Sequence, residues 1–155
     1  MGHSHPTGLI GILFLGNLLT KTILQQYITR HRDFSNLNLI SADLSHLNLR
    51  GADLSGINLT RANLTKTDLS YANLTNAILI GANLTETNLT KANLMNANLK
   101  NASFNDANLS QAYLRGAIIA HGVSPSAISN HLKATPHQAS SSFIYGEILF
   151  NESFE

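Results

Sequence analysis

Residues 62–81 read ANLTKTDLSYANLTNAILIG, with a leucine at 64, 69, 74 and 79. The same spacing extends both ways. From Leu39 to Ile119 a large apolar residue stands at every fifth position: seventeen positions holding fifteen Leu, Phe104 and Ile119. Two residues earlier there is usually a small one, as at Ala42, Ala52, Ala62, Ala72, Ala77 and Ala82, and the slot between is mostly Asn or Asp. No regular element carries a period of five. On an α-helix five residues turn about 500°, so successive leucines would point roughly 140° apart. On a flat strand an odd period sends them to alternate faces. The backbone must therefore bend once in every five residues so that each leucine returns to a common interior. That is a solenoid of stacked turns.

The words A-D-L-S and A-N-L-T resemble the pentapeptide-repeat family, whose consensus is similar to A-(D/N)-L-x-x. Seventeen consecutive units over Leu37–His121 carry the resemblance. The lead-in QQYITRHRDFSNLNL (residues 25–39) is also similar to members in which a short helix enters an R-D-F-S segment. The resemblance implies an all-β solenoid, a right-handed quadrilateral β-helix of about four coils with four repeats per coil. It also implies that the central residue and the one two before it point inward and the other three outward. Leu44, Leu54, Leu64, Leu74, Leu84, Leu94, Phe104 and Leu114, with Ala52, Ala72, Ala92 and Ala112, are then interior. Departures from the pattern are local. Leu37, Leu47 and Ile57 put bulk where alanine is usual and should widen or distort the first coils. Thr67 and Thr87 are larger than alanine too. Ile78, Tyr113 and Ile118 replace Asn or Asp at an outward slot.

Four repeats per coil would stack positions twenty apart. Ile78 and Ile80 then form an apolar spot on a surface otherwise paved with Asn, Ser and Thr, with Ile118 two coils away. Such a spot is a candidate contact for a partner or a second copy, or the place where a terminal segment of the chain lies. Tyr71 is a second candidate anchor, or it covers its neighbours. His46, Lys66, Glu86 and Asp106 fall in one column, where unlike neighbours make a solvated pair.

The ends read differently. Residues 1–35 form an apolar N-terminal segment in which Gly8–Leu19 is almost wholly apolar. Helical spacing predicts a helix over roughly Asn17–Arg30, with glycines weakening it upstream. A helix there would cover the open end of the solenoid, because terminal repeats need capping. The alternative is a membrane anchor or export signal through Gly8–Leu19. Against it, Thr20, Lys21 and Thr22 end the apolar run short of about 20 residues, and no small-x-small cleavage site follows. The expectation is a cytoplasmic protein, with membrane association or export as the alternative. Residues 36–121 are the repeat rod, and 122–155 a polar linker and tail. Within the tail, Phe143–Phe150 is a short strand candidate, either a cap or a dimerisation strand. Four of the ten aromatic residues lie in Phe143–Phe154.

Chemistry is sparse. The chain has no cysteine and a formal charge of +1, and within Arg32–His121 seven Lys/Arg face six Asp/Glu. A nucleic-acid binder would show a basic stripe and a DNA mimic an acidic one; net charge offers neither. The serines and threonines recur at outward slots without a matched His and carboxylate. Of the seven histidines only His3 and His5 are close, which is too few ligands for a metal site. No phosphate-binding Gly-rich loop occurs. The expectation is a non-catalytic scaffold without cofactor, binding a protein partner or pairing with itself through the tail or the Ile78/Ile80 face. Two alternatives are a DNA-mimicking modulator of gyrase, disfavoured by the neutral charge, and a membrane- or lumen-associated member of the family.

Overall fold

The structure, a computed structural model, describes Gln25 and residues 28–119. Residues 33–119 wind into a β-helix. Its register is fixed by fourteen parallel bridges, each joining residues twenty apart: Asp43 to Asn63, Asn63 to Asn83, Asn83 to Ser103, and likewise on the other faces. Four five-residue units therefore make one coil, and the rod has four flat faces, named here Leu59, Leu64, Leu69 and Leu74 after one central residue on each. The first unit is centred on Phe34, whose neighbour Asp33 bridges Asp53. The coil pattern thus begins in the R-D-F-S segment, ahead of residue 36.

A unit in the middle of the rod with Asn or Asp in its slot assigns all five of its backbone N–H groups. Around Leu64, Asn63 N–H donates to Ala42 O in the coil before (2.9 Å), while Leu64 N–H and Lys66 N–H donate to Asn83 O and Thr85 O in the coil after (2.8 and 3.0 Å). Thr67 N–H closes the turn on Leu64 O (3.1 Å). Thr65 N–H donates to the side chain of Asn63, at Oδ1 (3.2 Å). This is an Asx-turn, and it explains the Asn/Asp slot. A small acceptor is needed there because the fifth donor faces neither neighbouring coil. Every Asn or Asp in this slot from Asp33 to Asn108 accepts that bond. Three of the asparagines, Asn63, Asn73 and Asn88, also donate Nδ2–H to the Asp one coil earlier, at 3.1–3.2 Å.

The corner is the second residue after each leucine. All seventeen have positive φ, thirteen of them non-glycine, from Asn36 at 57° to Gln111 at 59°. With the turn bond, this is the geometry of a type II turn, whose third residue needs φ above zero. L-residues resist that conformation by roughly 1–2 kcal/mol each. The inter-coil bonds on both sides of the corner hold them there.

The interior is a stack of leucine and alanine. The central residues from Leu39 to Leu99 are buried, and so are the alanines two before a central residue, Ala52, Ala72, Ala92 and Ala112 included. Phe104 and Leu114, in the last coil, are only partly buried against this core. Inward bulk leaves a trace. The turn bond is 3.4 Å at Leu37 and Leu47 and 3.2 Å at Ile57, against 2.9–3.1 Å at every other unit. A large side chain entering the lumen levers its own N–H away from the turn carbonyl. Thr67 and Thr87 fit with less strain because their hydroxyls donate to Leu44 O and Leu64 O (2.8 and 2.7 Å), so a polar group is buried fully satisfied.

At the start of the rod, Gln25 and residues 28–30 are helical. Ile28 is buried. Gln25 Oε1 accepts from Asn48 N–H (3.2 Å), and Arg32 donates to Arg50 O (2.8 Å) and Asn48 O (3.2 Å). The remainder of the expected helix over Asn17–Arg30, the apolar run Gly8–Leu19, the His3/His5 pair and the strand candidate Phe143–Phe150 lie outside the described residues.

Candidate interaction surfaces

Departures from the polar paving stand on three of the four faces. On the Leu59 face, Ile78 is 37% and Ile118 43% exposed, and Ile80 is half-buried. Ile78 and Ile80 flank Leu79 on one rung, and Ile118 lies two coils on, as the twenty-residue register requires. Ile40, also exposed, occupies the column of Ile80 two coils earlier. At Ile78 and Ile118 an apolar side chain stands in place of the Asx acceptor, and the Ile80 N–H has no acceptor in its own slot. The same loss occurs at Tyr113 on the Leu74 face.

Tyr71 stands at a corner of the Leu69 face with 48% of its surface exposed and φ at 60°. Arg50, from the coil before, places its guanidinium carbon 4.3 Å from the ring centroid, and the Lys91 ammonium, from the coil after, is 5.4 Å away. Arg50 is itself pinned, donating Nη1–H to the buried Ser70 Oγ (3.0 Å). The positive charge of Lys91, then hydrogen bonding to Lys91 and Arg50, hold the Tyr71 phenol below its ordinary 10.0. A cation over an aromatic face is attracted to the ring quadrupole by about 0.5–1 kcal/mol at exposed sites. The sequence singles out Tyr71 but not Arg50; the 21-residue offset that joins them is one coil plus one position, legible only once the register is known.

The column of His46, Lys66, Glu86 and Asp106 contains one close ion pair, Lys66 Nζ to Glu86 Oε2 at 3.5 Å, with both side chains half exposed. Such a pair contributes under about 1 kcal/mol. Among the described residues no group of three or more His, Cys, Asp or Glu is placed to hold a metal ion. No described helix is long and apolar enough to cross a membrane.

Fold and surface together define a repeat solenoid with five-residue units, four to a coil. The family model for pentapeptide repeats matches residues 30–56, 57–94 and 92–121, in eight copies. The chain belongs to the pentapeptide-repeat family, whose members form right-handed quadrilateral β-helices. Among solved structures it is similar to a pentapeptide repeat protein from Nostoc Pcc 7120, with 33% identity over 64% of this chain and 78% of that one and a TM-score of 0.55. A pentapeptide repeat protein from the Arabidopsis thaliana thylakoid lumen is 39% identical over 54% of this chain and 61% of that one, with a TM-score of 0.35. One from the cyanobacterium Cyanothece 51142 is 46% identical over 53% and 59%, with a TM-score of 0.32. No curated protein matched the sequence.

Proposed function

We propose that this chain is a non-catalytic scaffold: a rigid rod, about 20 Å long at the usual spacing between strands, that presents its Leu69 face to a protein partner. The Arg50–Tyr71–Lys91 cluster carries the reading. Tyrosine and arginine are the side chains most often found at the energetic centre of protein interfaces. Here both are fixed in place before any partner arrives, so little side-chain entropy is left to lose on binding. Arg50 and Lys91 have no carboxylate partner among the described residues, which favours a partner with an acidic group. The two cations occupy the ring, an arrangement that suits a carboxylate better than a stacked base. The near balance of charge along the rod likewise argues against imitation of DNA.

The Gln25 and Arg32 contacts, with buried Ile28, support a cap over the first coil, since they satisfy groups that no earlier coil can reach.

Quantitative affinity capture tests the reading. Wild-type chain is compared with Tyr71→Ala and Arg50→Ala, and captured proteins are titrated back in purified form. A partner whose affinity falls at least tenfold in both variants, in chains with unchanged circular dichroism, is the expected result. A partner bound equally by all three chains removes the Leu69 face from consideration.

A further inference from the structure

The Leu59 face differs from the other three in carrying no carboxylate. Its outward positions hold Arg61, Lys100, Asn, Ser, Thr, Gly and the isoleucines 40, 78, 80 and 118. Three of the five large apolar side chains exposed on the described rod, Ile40, Ile78 and Ile118, are on it. The Leu64 face has Asp43, Glu86 and Asp106, the Leu69 face Asp68, and the Leu74 face Asp33 and Asp53. One side of a nearly neutral rod is thus both apolar and purely cationic.

The described residues also end on this side. Ile118 N–H is bonded to Ala97 O and Ile119 is the inward residue of the same face, so residue 120 starts from it. Further along lies FIYGEILFNESFE, residues 143–155. It contains Glu147, Glu152 and Glu155, no Lys or Arg, and seven large apolar residues. Its composition complements the Leu59 face in both respects: apolar against apolar, anionic against cationic. The intervening residues 120–142 could extend to about 75 Å at ~3.3 Å each, several times the length of the rod. Reach is no obstacle. A tether of that length also keeps the effective concentration high enough for a small contact to form within one molecule.

We propose that residues 143–155 dock in cis on the Leu59 face, over Ile78 and Ile80, with their glutamates toward Arg61 and Lys100. The replacement of Asn by Ile at positions 78 and 118 then has a purpose. It gives up one Asx bond at each rung and creates apolar ground that the chain's own tail covers. The claim is independent of the partner site on the Leu69 face.

The absence of cysteine makes the test direct. A nitroxide is attached to Asn151→Cys in the full chain, and paramagnetic broadening of backbone amides is compared among faces. The expected result is broadening at Gly81 and Lys100 at least about threefold stronger than at Glu86 and Asp106 of the neighbouring face. It should fall to the level of that face in Ile78→Asn/Ile80→Thr, a change that restores the ordinary repeat and so preserves the rod, and in Arg61→Glu/Lys100→Glu. Equal weak broadening on all faces overturns the proposal. So does the same pattern in a mixture of isotope-labelled chains without nitroxide and unlabelled chains with it, because the occupant is then a second copy. A persistent pattern in both double variants overturns it as well.

Discussion

The Asn/Asp slot has a chemical reason. Of the five N–H groups in a unit, four find carbonyls and the fifth finds only this side chain, as Thr90 N–H finds Asn88 Oδ1 at 3.1 Å. Asn88 also accepts from Thr90 Oγ1 (2.7 Å) and donates to Asp68 (3.2 Å). Asn88→Ile should therefore destabilise the rod by about 1–2 kcal/mol, since a half-buried donor loses its acceptor. Tyr113→Asn should do the reverse and gain about 0.5–1 kcal/mol, supplying the Arg115 N–H with an acceptor. Denaturant midpoints at constant slope measure both; a neutral Asn88→Ile would mean that the Asx bond is ornamental. Tyr71 gives a second prediction at this scale. Its phenol should ionise below that of an unperturbed tyrosine in a spectrophotometric titration, and Lys91→Ala should raise it toward 10.0. The sign follows from linkage. A lowered folded-state value contributes its full stability above the unfolded value and loses it as pH falls through the folded one, so below the folded value the shift leaves stability unchanged. The sequence reveals which residues are leucine and which asparagine, but not that the asparagine completes the backbone's hydrogen bonding, because that depends on where the coils above and below place their carbonyls.

At the scale of one turn, the inward residue and the turn bond compete. Alanine two positions before leucine lets the corner close at about 3.0 Å; leucine at 47 opens it to 3.4 Å. The expected distortion of the first coils at Leu37, Leu47 and Ile57 is visible here as a stretched bond at those units. Yet Leu47 is buried, with 4% of its surface exposed, and its side chain fills space that alanine would leave empty. Leu47→Ala should shorten the turn bond and still cost about 2–5 kcal/mol, because cavity formation outweighs one improved hydrogen bond. A crystal structure of the variant together with its unfolding free energy checks the two halves separately. A variant as stable as wild type would mean that the wide coil is strained rather than filled. The threonines show how the next coils manage the same problem. Thr67 Oγ1 donates to Leu44 O, the carbonyl whose turn bond from Leu47 is stretched, and so offers it a second donor. Sequence alone marks Thr67 as oversized; it does not say where the hydroxyl goes, since its partner is 23 residues away.

For the molecule as a whole, the period of five is readable from the leucines, and the number of units in a coil is not. Periodicity requires a corner in every unit; a count of four came with the family resemblance, and the structure carries it in the twenty-residue bridges. Everything about surfaces depends on that second number. The Ile78–Ile118 alignment, the Arg50–Tyr71 contact and the carboxylate-free Leu59 face are all consequences of stacking by twenty. This makes the register itself testable through deletion. Removing residues 64–83 joins Asn63 to Leu84, subtracts one coil and leaves every remaining column intact. The shortened rod should keep its β spectrum and melt at a lower temperature, as nearest-neighbour stacking predicts for a repeat array. It should also lose binding at the Tyr71 site, since that residue is gone. Removing only residues 64–67 joins Asn63 to Asp68 and shifts each later leucine by one position, out of the lumen. That smaller deletion should be the more damaging, with lost cooperativity and aggregation through exposed leucine and unpaired coil edges. Circular dichroism melts of the two variants side by side decide the matter. Equal stability would mean that the coils can absorb a displaced leucine, and the faces assigned by twenty-residue stacking would lose their footing.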